Sequence, residues 1–411
     1  MKILFLTLLD FDNLEEQGIY TDLMRTFQQK GHEVFIISPR EKIKQLPTQL
    51  IVKEGYTILK LEIGNMQKTN VVEKGISMLT LENRFVKGIQ DHFADIRFDW
   101  VLYSTPPITL QKAVAFVKKR DQAKTYLLLK DIFPQNALDL GMLRESGLKG
   151  FIYRYFKKKE KKLYEISDYI GCMSPANVKF LLKANPHLDP SRVEVCPNSI
   201  EPIAFQMTQA ERDDIREKYG IPKDKTVFIY GGNLGKPQGI PYLIECLDYS
   251  KDIEGAYFLI VGSGTEYSKL DQYFRAEKRD HAQLFAALPK TDYEKLANAC
   301  DVGLIFLDHR FTIPNFPSRM LSYMQASMPI LAATDLHTDV GDVITQGQFG
   351  LWCQSQSPVD FGIQVKLLCE EKLRKQYGYN ARQYLEKHYR ADQSCEIIMK
   401  HINDERGAAH V

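Results

Sequence analysis

The segment from Tyr230 to Gly239 carries residues whose types and spacing suit the binding of an anion. Its sequence, YGGNLGKPQG, follows an apolar run that is typical of a buried strand and precedes a predicted helix that starts near Pro241. Glycines let backbone N–H groups approach an anion closely, the helix N-terminus adds partial positive charge, and Lys236 adds a full one. Such a loop suits a diphosphate, and its candidate contacts are Gly232, Asn233, Lys236 and Gln238. The loop has neither the Walker sequence nor the GxGxxG spacing, and an ordinary structural turn is the alternative interpretation.

A second candidate anion site lies in the sequence NFPSRMLSYMQA, which starts at Asn315. Pro317 and Ser318 are typical of a helix start, and Arg319 would then lie in the first turn, where its guanidinium and free backbone N–H groups converge. Two anion sites in the same half of the chain fit one diphosphate ligand.

Two further turns follow neighbouring predicted strands. Gly262 and Gly264 in VGSGT could approach a nucleotide, and Leu288 in LPK occupies a position where main-chain groups could read the base. A plain turn of the chain is an equally good interpretation of each.

The scaffold that positions these loops is predicted from a rhythm of short apolar runs and helix-like segments, typical of βα units on a parallel sheet. In the first half the predicted strands are Lys2–Leu8, Val34–Ser38, Thr57–Glu62, Trp100–Ser104, Thr125–Lys130, Tyr169–Met173 and Val193–Cys196. In the second half they are Val227–Tyr230, Tyr257–Val261, Gln283–Ala286, Val302–Phe306, Ile330–Ala332 and Leu351–Cys353. We therefore predict an α/β protein of two Rossmann-like domains that face each other across a cleft, with ligands beyond the carboxyl ends of the strands.

The length of 411 residues also favours two domains, because a single core rarely grows this large. The turn-rich sequence PNSIEP, from Pro197 to Pro202, suits a hinge, so the predicted domains span 1–203 and 204–388. The closing segment from Glu371 to Ile402 is predicted as helix, and the part from about 389 to 411 can pack back on the first domain.

The amino-acid composition limits the classes of binding partner and the cellular compartment that we expect for this chain. The net charge of +2 gives no indication of a nucleic-acid partner, and the seven scattered cysteines form no CxxC pair, which favours a reducing, cytoplasmic environment. The apolar run after Lys2 ends at Asp10 without a cleavage site, and no apolar run approaches the roughly 18 residues of a membrane span.

The ordered motifs of the chain resemble glycosyltransferase family 4 along essentially its whole length. They are GHEV, PNSIEP, GGNLGKPQG, VGSG, FPSRMLSYMQASMPIL and GDVI with GQFGL. The resemblance implies a GT-B fold and a retaining transfer of sugar from a nucleotide sugar, in particular a UDP-sugar, without a cofactor. The chain looks closest to the bacterial branch that builds capsule, O-antigen and exopolysaccharide, which implies a glycan or polyprenyl-diphosphate-linked acceptor.

The resemblance also suggests catalytic residues in the first domain. Gly18 looks like the family's glycine beside the transferred sugar, with a flexible acidic loop as the alternative. Lys130 and Asp131 lie where the family has a histidine or an acidic residue, so Asp131 is the candidate for acceptor positioning or proton relay, with a helix N-cap as the alternative.

Two departures from the family pattern concern the donor. Pro314 and Ser322 stand where many members have a pair of glutamates, so the ribose contact must be weaker or come from elsewhere, for example Glu294. Asn233 and Gln238 replace the common arginine and lysine, which leaves the phosphate charge to Lys236 and Arg319. The loss of the acidic pair keeps open a non-catalytic subunit of an active partner, and the shared fold keeps open a sugar-nucleotide epimerase.

A metal is not expected, because the string Asp10-Phe11-Asp12 follows the first strand of the wrong architecture for a metal-binding DxD and nothing nearby completes a site.

A basic, aromatic-rich helix is predicted around residues 149–164. Between Lys149 and Lys162 it has seven basic residues against one glutamate, interleaved with Phe151, Tyr155 and other apolar side chains. One interpretation is contact with anionic lipid at the inner face of the cell membrane, which suits a lipid-linked acceptor. The other is a helix that buries Ile152, Tyr155, Phe156, Leu163 and Ile166 while its lysines face water.

Overall fold

The computed structural model describes residues 1–66, 71–204 and 207–408, with side chains described except at 71, 72 and 403–408. The chain divides into two compact units, one from Met1 to Glu201 together with the helix that begins at Ala391, and one from Pro202 to Arg390. The division lies two residues before the predicted boundary at 203. Elements are numbered in chain order.

The first unit is built on a sheet of eight strands in the order β10-β9-β8-β7-β1-β2-β5-β4. Its strands, with the short pair β3 and β6 that forms a sheet of its own, are β1 Lys2–Leu6, β2 Glu33–Ile37, β3 Arg40–Glu41, β4 Gln49–Lys53, β5 Tyr56–Lys60, β6 Glu62–Ile63, β7 Trp100–Ser104, β8 Lys124–Leu129, β9 Tyr169–Cys172 and β10 Val193–Val195. The helices are α1 Ile19–Gln29, α2 Val71–His92, α3 Gln111–Asp121, α4 Gln135–Asp139, α5 Gly147–Ile166 and α6 Pro175–Ala184. The pairings are parallel except β4 with β5. The central strands are buried on both faces, which explains their continuous apolar runs.

The second unit carries a parallel sheet of six strands in the order β13-β12-β11-β14-β15-β16. Its elements are α7 Gln209–Lys218, β11 Thr226–Asn233, α8 Ile240–Tyr249, β12 Ala256–Ser263, α9 Tyr267–Ala276, β13 Ala282–Ala286, α10 Lys290–Asn298, β14 Val302–Phe306, α11 Arg319–Gln325, β15 Ile330–Thr334, α12 Val340–Gln346, β16 Gly350–Gln354, α13 Pro358–Leu368 and α14 Glu371–His388. The predicted α/β class with parallel sheets is confirmed.

The last helix, α15 Ala391–Ala408, belongs to the first unit. Its residues Cys395, Ile398 and Ile402 are buried in the core on one face of the first sheet. The ring of His401 stacks on that of Tyr169 with centroids 3.8 Å apart.

Two sequence predictions about elements were wrong in detail, and one strand was not predicted. The closing segment is two helices, α14 and α15, because the chain leaves helical geometry at Tyr389 and the N–H of Ala391 donates to the carbonyl of Ile200. The predicted strand Thr57–Glu62 is divided into β5 and β6. The antiparallel β4 was missed.

Candidate functional site

The predicted glycine loop is the carboxyl end of β11 and the turn that follows it. Gly232 has φ +129°, a backbone conformation that favours glycine. The Asn233 amide donates to Gln238 Oε1 at 3.2 Å, and the N–H of Gly235 donates to the same oxygen at 3.2 Å. Asn233 and Gln238 therefore hold the loop in shape, in addition to the ligand contacts predicted for them.

Arg319 lies against this loop, so the two predicted anion sites come together. Its guanidinium carbon lies 4.2 Å from the ring centroid of Tyr230, and Nη2 lies 3.2 Å from the position that a Cβ would take on Gly232. Nη1 is buried and has no hydrogen-bond partner among the described residues. Burial by itself would lower the pKa of Arg319, but the phenols of Tyr230 and Tyr323 raise it and the net shift is upward. The loop thus holds a fixed cation with an unused donor.

The helix N-terminus predicted at Ser318 contributes less positive charge to the anion site than expected. α11 has only seven residues, and Ser318 adopts helical backbone angles without a side-chain capping bond. The cationic character of this site therefore comes from the guanidinium of Arg319. Pro317 is half-buried, and Ser318 and Ser322 are exposed.

Lys236 supplies a second cation at the rim of the loop. It begins a single 3₁₀ turn, Lys236–Gln238, and its side chain is exposed. In the part of the chain that the structure describes, no hydrogen bond or ion pair engages its ammonium group. Its charge is available to a ligand.

Gly262 and Gly264 have a packing role. A Cβ on Gly262 would overlap the carbonyl oxygen of Gly232, and one on Gly264 would overlap the backbone of Leu234. The N–H of Leu234 donates to the carbonyl of Ser263 at 2.8 Å, which ties the two turns together. The geometry favours the plain-turn interpretation of these two glycines.

The remaining donor-site candidates lie near α10. Leu288 is half-buried ahead of this helix, and Glu294 on it lies 3.9 Å from the ammonium of Lys290. The neighbouring Tyr293 reaches the glycine loop, because a Cβ on Gly231 would overlap its hydroxyl group. Pro314 is buried and Ser322 is exposed on α11, so no carboxylate stands at either position of the family's acidic pair.

Sequence reasoning missed the aromatic support of the loop. The Tyr323 hydroxyl accepts from the N–H of Gly231 at 3.3 Å and lies 3.2 Å from the carbonyl oxygen of Ile229. Tyr230, whose ring carries Arg319, donates to the carbonyl of Asn233 at 2.7 Å. The tyrosine directly before Gly231-Gly232 was the only sequence signal for this arrangement.

Sequence reasoning also missed Asp308, which follows β14. Its N–H donates to the carbonyl of Pro237 at 2.9 Å, and its carboxylate makes a two-pronged ion pair with Arg310 at 2.8 and 2.7 Å. Burial would raise the pKa of Asp308, but the Arg310 guanidinium outweighs this and lowers it. Asp308 therefore anchors the far end of the glycine loop.

In the first unit Asp131 follows β8. Its carboxylate accepts from the Asn136 amide at 2.8 Å. Burial raises its pKa from 3.8 to about 6, although that hydrogen bond and the N–H of Ile132 favour the charged form. The next helix starts at Gln135 after Pro134, so Asp131 does not cap it.

Lys130 and Gly18 lie at the same edge of the first sheet. The ammonium of Lys130 donates to the carbonyl of Cys196 at 2.9 Å, and burial lowers its pKa. Lys130 therefore has a structural partner. Gly18 directly precedes α1, with the extended φ of 170° that any residue can adopt.

The Asp10-Phe11-Asp12 string is occupied by cations of the protein itself. Asp10 pairs with Lys44 and with the fully buried Lys60, and Asp12 pairs with Arg40 at 2.6 Å. Lysine and arginine neutralise both carboxylates, so this donor set does not fit a metal ion.

Comparison with known proteins relates this chain to one enzyme class. Residues 211–384 match the family model described as Glycosyl transferases group 1. The probable glycosyltransferase WbjE of Pseudomonas aeruginosa is 25% identical over 295 residues, 71% of this chain and 71% of WbjE. WcaI of Escherichia coli (strain K12), described as a candidate colanic acid biosynthesis glycosyl transferase, is 22% identical over 316 residues, 75% of this chain and 74% of WcaI.

Among solved structures, Anabaena HepE in complex with UDP-glucose has a TM-score of 0.69 and 14% identity, over 98% of this chain and 100% of HepE. Together these matches confirm the resemblance to glycosyltransferases and the α/β fold of GT-B type.

Proposed function

We propose that this glycosyltransferase, which matches the group 1 family through its second unit, moves a sugar from a UDP-sugar to a glycan or lipid-linked acceptor in the assembly of a surface polysaccharide. The observation that carries the proposal is the buried Nη1 of Arg319, which lies beside Gly232 and has no hydrogen-bond partner in the described part of the chain. A diphosphate offers the oxygen atoms that this donor needs. Two comparisons support the details: the HepE structure contains UDP-glucose, and WcaI is described with colanic acid biosynthesis.

The chemistry required of the loop is charge stabilisation. Negative charge grows on the departing diphosphate as the glycosidic bond breaks, and fixed cations and amide dipoles stabilise it more in the transition state than in the ground state. Arg319 is held on the Tyr230 ring, so little reorganisation is needed when that charge develops. We propose that Arg319, Lys236 and the glycine-loop amides do this work without a metal ion.

Asp131 is the proposed acceptor-side group. Its raised pKa, about 6, lies close enough to neutral pH for proton relay, and the ionised form can accept a hydrogen bond from an acceptor hydroxyl. Retention of the anomeric configuration remains a prediction from the family resemblance, and NMR of the product formed from a defined donor tests it.

The phosphate assignment is tested by UDP titration of single variants. We expect Arg319→Ala to weaken UDP binding about 10- to 100-fold, because a charge-assisted hydrogen bond contributes about 1.5–3 kcal/mol. Lys236→Ala should cost about tenfold or less, since Lys236 is exposed. Arg275→Ala is the matched control, because Arg275 is exposed on α9 and pairs with Asp271. Unchanged UDP affinity in both test variants would overturn the assignment.

The reaction class is tested with a panel of UDP-sugars. Slow release of UDP from one of them supports a transferase whose acceptor is replaced by water. An isomerised sugar nucleotide would indicate the epimerase instead, and intact binding without turnover would indicate a non-catalytic subunit.

We also propose that α5 rests on an anionic membrane at the cytoplasmic face. Its exposed apolar side chains recur at helical spacing on one face: Leu148 (80% exposed), Phe151 (68%), Ile152 (39%) and Tyr155 (38%). Exposed cations accompany them, namely Lys149, Arg154, Lys158, Lys161 and Lys162. The alternative in which Ile152 and Tyr155 are buried is therefore wrong for this half of the helix. Among the described residues no helix is both long and apolar enough to cross a bilayer.

A further inference from the structure

The strand β4 forms one outer edge of the large sheet in the first unit. In the part of the chain that the structure describes it pairs with β5 alone, so the other side of its backbone has no strand beside it. Four of its five residues are exposed, whereas β10, β13 and β16, the other outer strands of the two large sheets, have at most one exposed residue each. An open strand edge is a template for pairing with another strand.

The hairpin that joins β4 to β5 sets the direction in which the backbone groups of β4 point. Lys53 pairs with Tyr56 across a two-residue turn, in which Gly55 has φ +78°. Such a turn closes with a hydrogen-bonded pair, and hydrogen-bonded pairs alternate with non-hydrogen-bonded pairs along an antiparallel ladder. The backbone N–H and C=O groups of Leu50 and Val52 therefore point to the open edge, where a second strand can bind them.

The side chains at this edge are apolar. Leu50 is 40% exposed and Val52 is 67% exposed, and both lie on the same face of the strand because side chains alternate. Ile51 lies on the opposite face and packs against the core. No charged residue or proline lies between Gln49 and Lys53, although natural proteins commonly protect strand edges in this way. The edge thus offers both backbone hydrogen bonds and apolar contact.

A second copy of the same strand complements this edge. Antiparallel pairing about a two-fold axis at Ile51 places Leu50 opposite Val52 of the second copy, so the residues whose backbone groups point outwards meet as hydrogen-bonded pairs. Lys53 then lies opposite Gln49 of the second copy. The two Lys53 residues are about 14 Å apart along the strand, which exceeds the screening length of about 8 Å at physiological salt. The pairing therefore brings no like charges of β4 together.

We propose that two copies of this chain associate through β4, so that the eight-stranded sheet of the first unit continues into the same sheet of the second copy. The contact uses no residue of the glycine loop or of α5, and it does not depend on the proposed function. A contact built on a five-residue strand is small, and small interfaces are typical of weak association.

Sedimentation equilibrium of the full chain at concentrations up to about 100 μM tests the association, since weak association becomes visible only at such concentrations. We expect the mean mass to rise from the 47.4 kDa of one chain towards twice that value. Val52→Lys should weaken the association at least about tenfold, because it removes apolar contact and places a charge at the strand edge. Val195→Lys is the matched control, because Val195 lies on β10 at the opposite edge of the same sheet and is 36% exposed.

Cysteine cross-linking under mild oxidation tests the register. Ile51→Cys should form a disulfide between two copies, because the two-fold axis places the two Cα atoms about 4.5 Å apart, within the range that a disulfide spans. Gln49→Cys is the matched control, since it lies on the same face of β4 but its two copies are about 14 Å apart in this register. The natural cysteines are buried or, for Cys369, half-buried, so the natural protein should give no cross-link.

Each outcome decides the proposal. A mean mass of one chain at every concentration would overturn it, as would an association that Val52→Lys and Val195→Lys weaken equally. Equal cross-linking of Ile51→Cys and Gln49→Cys would also overturn it, because the strands would then not pair about Ile51. Concentration-dependent association that only Val52→Lys weakens, together with a cross-link that only Ile51→Cys forms, supports the pairing of β4 with its copy.

Discussion

At the residue scale, the carboxylate of Asp131 allows the most direct test of the proposed catalysis. We expect kcat/KM to fall as the pH drops below about 6, because the carboxylate becomes protonated at its raised pKa. Asp131→Asn should lower the rate about 10²–10⁴-fold and remove this acidic limb of the pH profile. Steady-state kinetics between pH 5 and 8 check both effects, and an unchanged limb in the variant would exclude Asp131 as its source.

The raised pKa of Asp131 also affects the stability of the folded protein. The folded pKa lies above the unfolded value, so the contribution to stability is fully present below about pH 3.8 and is lost as the pH rises through about 6. Asp131→Asn should therefore be more stable than the natural protein at pH 8, by up to about 3 kcal/mol, with the difference shrinking towards pH 4. Urea unfolding at the two pH values measures this difference.

Gly262 tests whether the two turns of the second unit must pack against each other. A Cβ there would overlap the carbonyl oxygen of Gly232, so we expect Gly262→Ala to cost about 1–3 kcal/mol and to weaken UDP binding by displacing the loop. Gly75→Ala is the control, because no atom lies within 4 Å of its added Cβ and α2 should gain about 0.5–1 kcal/mol. Wild-type UDP affinity in Gly262→Ala would show that the turns can separate without affecting the site.

Residue type and spacing were enough to identify Lys236 and Arg319 as candidate phosphate ligands. They could not identify what holds Arg319, because its contact with Tyr230 joins residues 89 positions apart in the chain. They also could not show that Gln238 accepts hydrogen bonds inside its own loop, since either side of a turn can face a ligand.

At the element scale, the exposed stripe of α5 predicts binding to anionic vesicles. Phe151→Glu combined with Ile152→Glu should reduce flotation with phosphatidylglycerol vesicles at least about tenfold, because it removes apolar contact and adds two repelled charges. Ile363→Glu combined with Leu367→Glu is the matched control, since these residues of α13 are similarly exposed but lie in the other unit. Equal loss in both double variants, or no flotation of the natural protein at low salt, would exclude α5 as a membrane contact.

Elements with strong patterns were predictable and elements fixed by tertiary contacts were not. β7 and β14 match their predicted bounds because each is a short apolar run with every residue buried. β4 is an exposed edge strand, so burial left no pattern in its sequence. The break between α14 and α15 has no proline or glycine, and it depends on the bond from Ala391 to Ile200.

At the scale of the whole molecule, the two units should unfold in separate transitions. UDP binding should shift one of them, and a core substitution in α15 should shift the other. UDP at about 100 times its Kd should stabilise the second unit by about 2.7 kcal/mol, which raises its unfolding midpoint by about 5–10 °C for a unit of this size. Ile398→Ala removes a fully buried side chain of α15 and should destabilise the first unit by the about 2–5 kcal/mol that such a cavity costs, which lowers its unfolding midpoint. Differential scanning calorimetry of both proteins with and without UDP resolves the two transitions, and Arg319→Ala should abolish the UDP shift. A UDP shift in the transition that Ile398→Ala lowers would place the nucleotide in the first unit and contradict the assignment to the glycine loop.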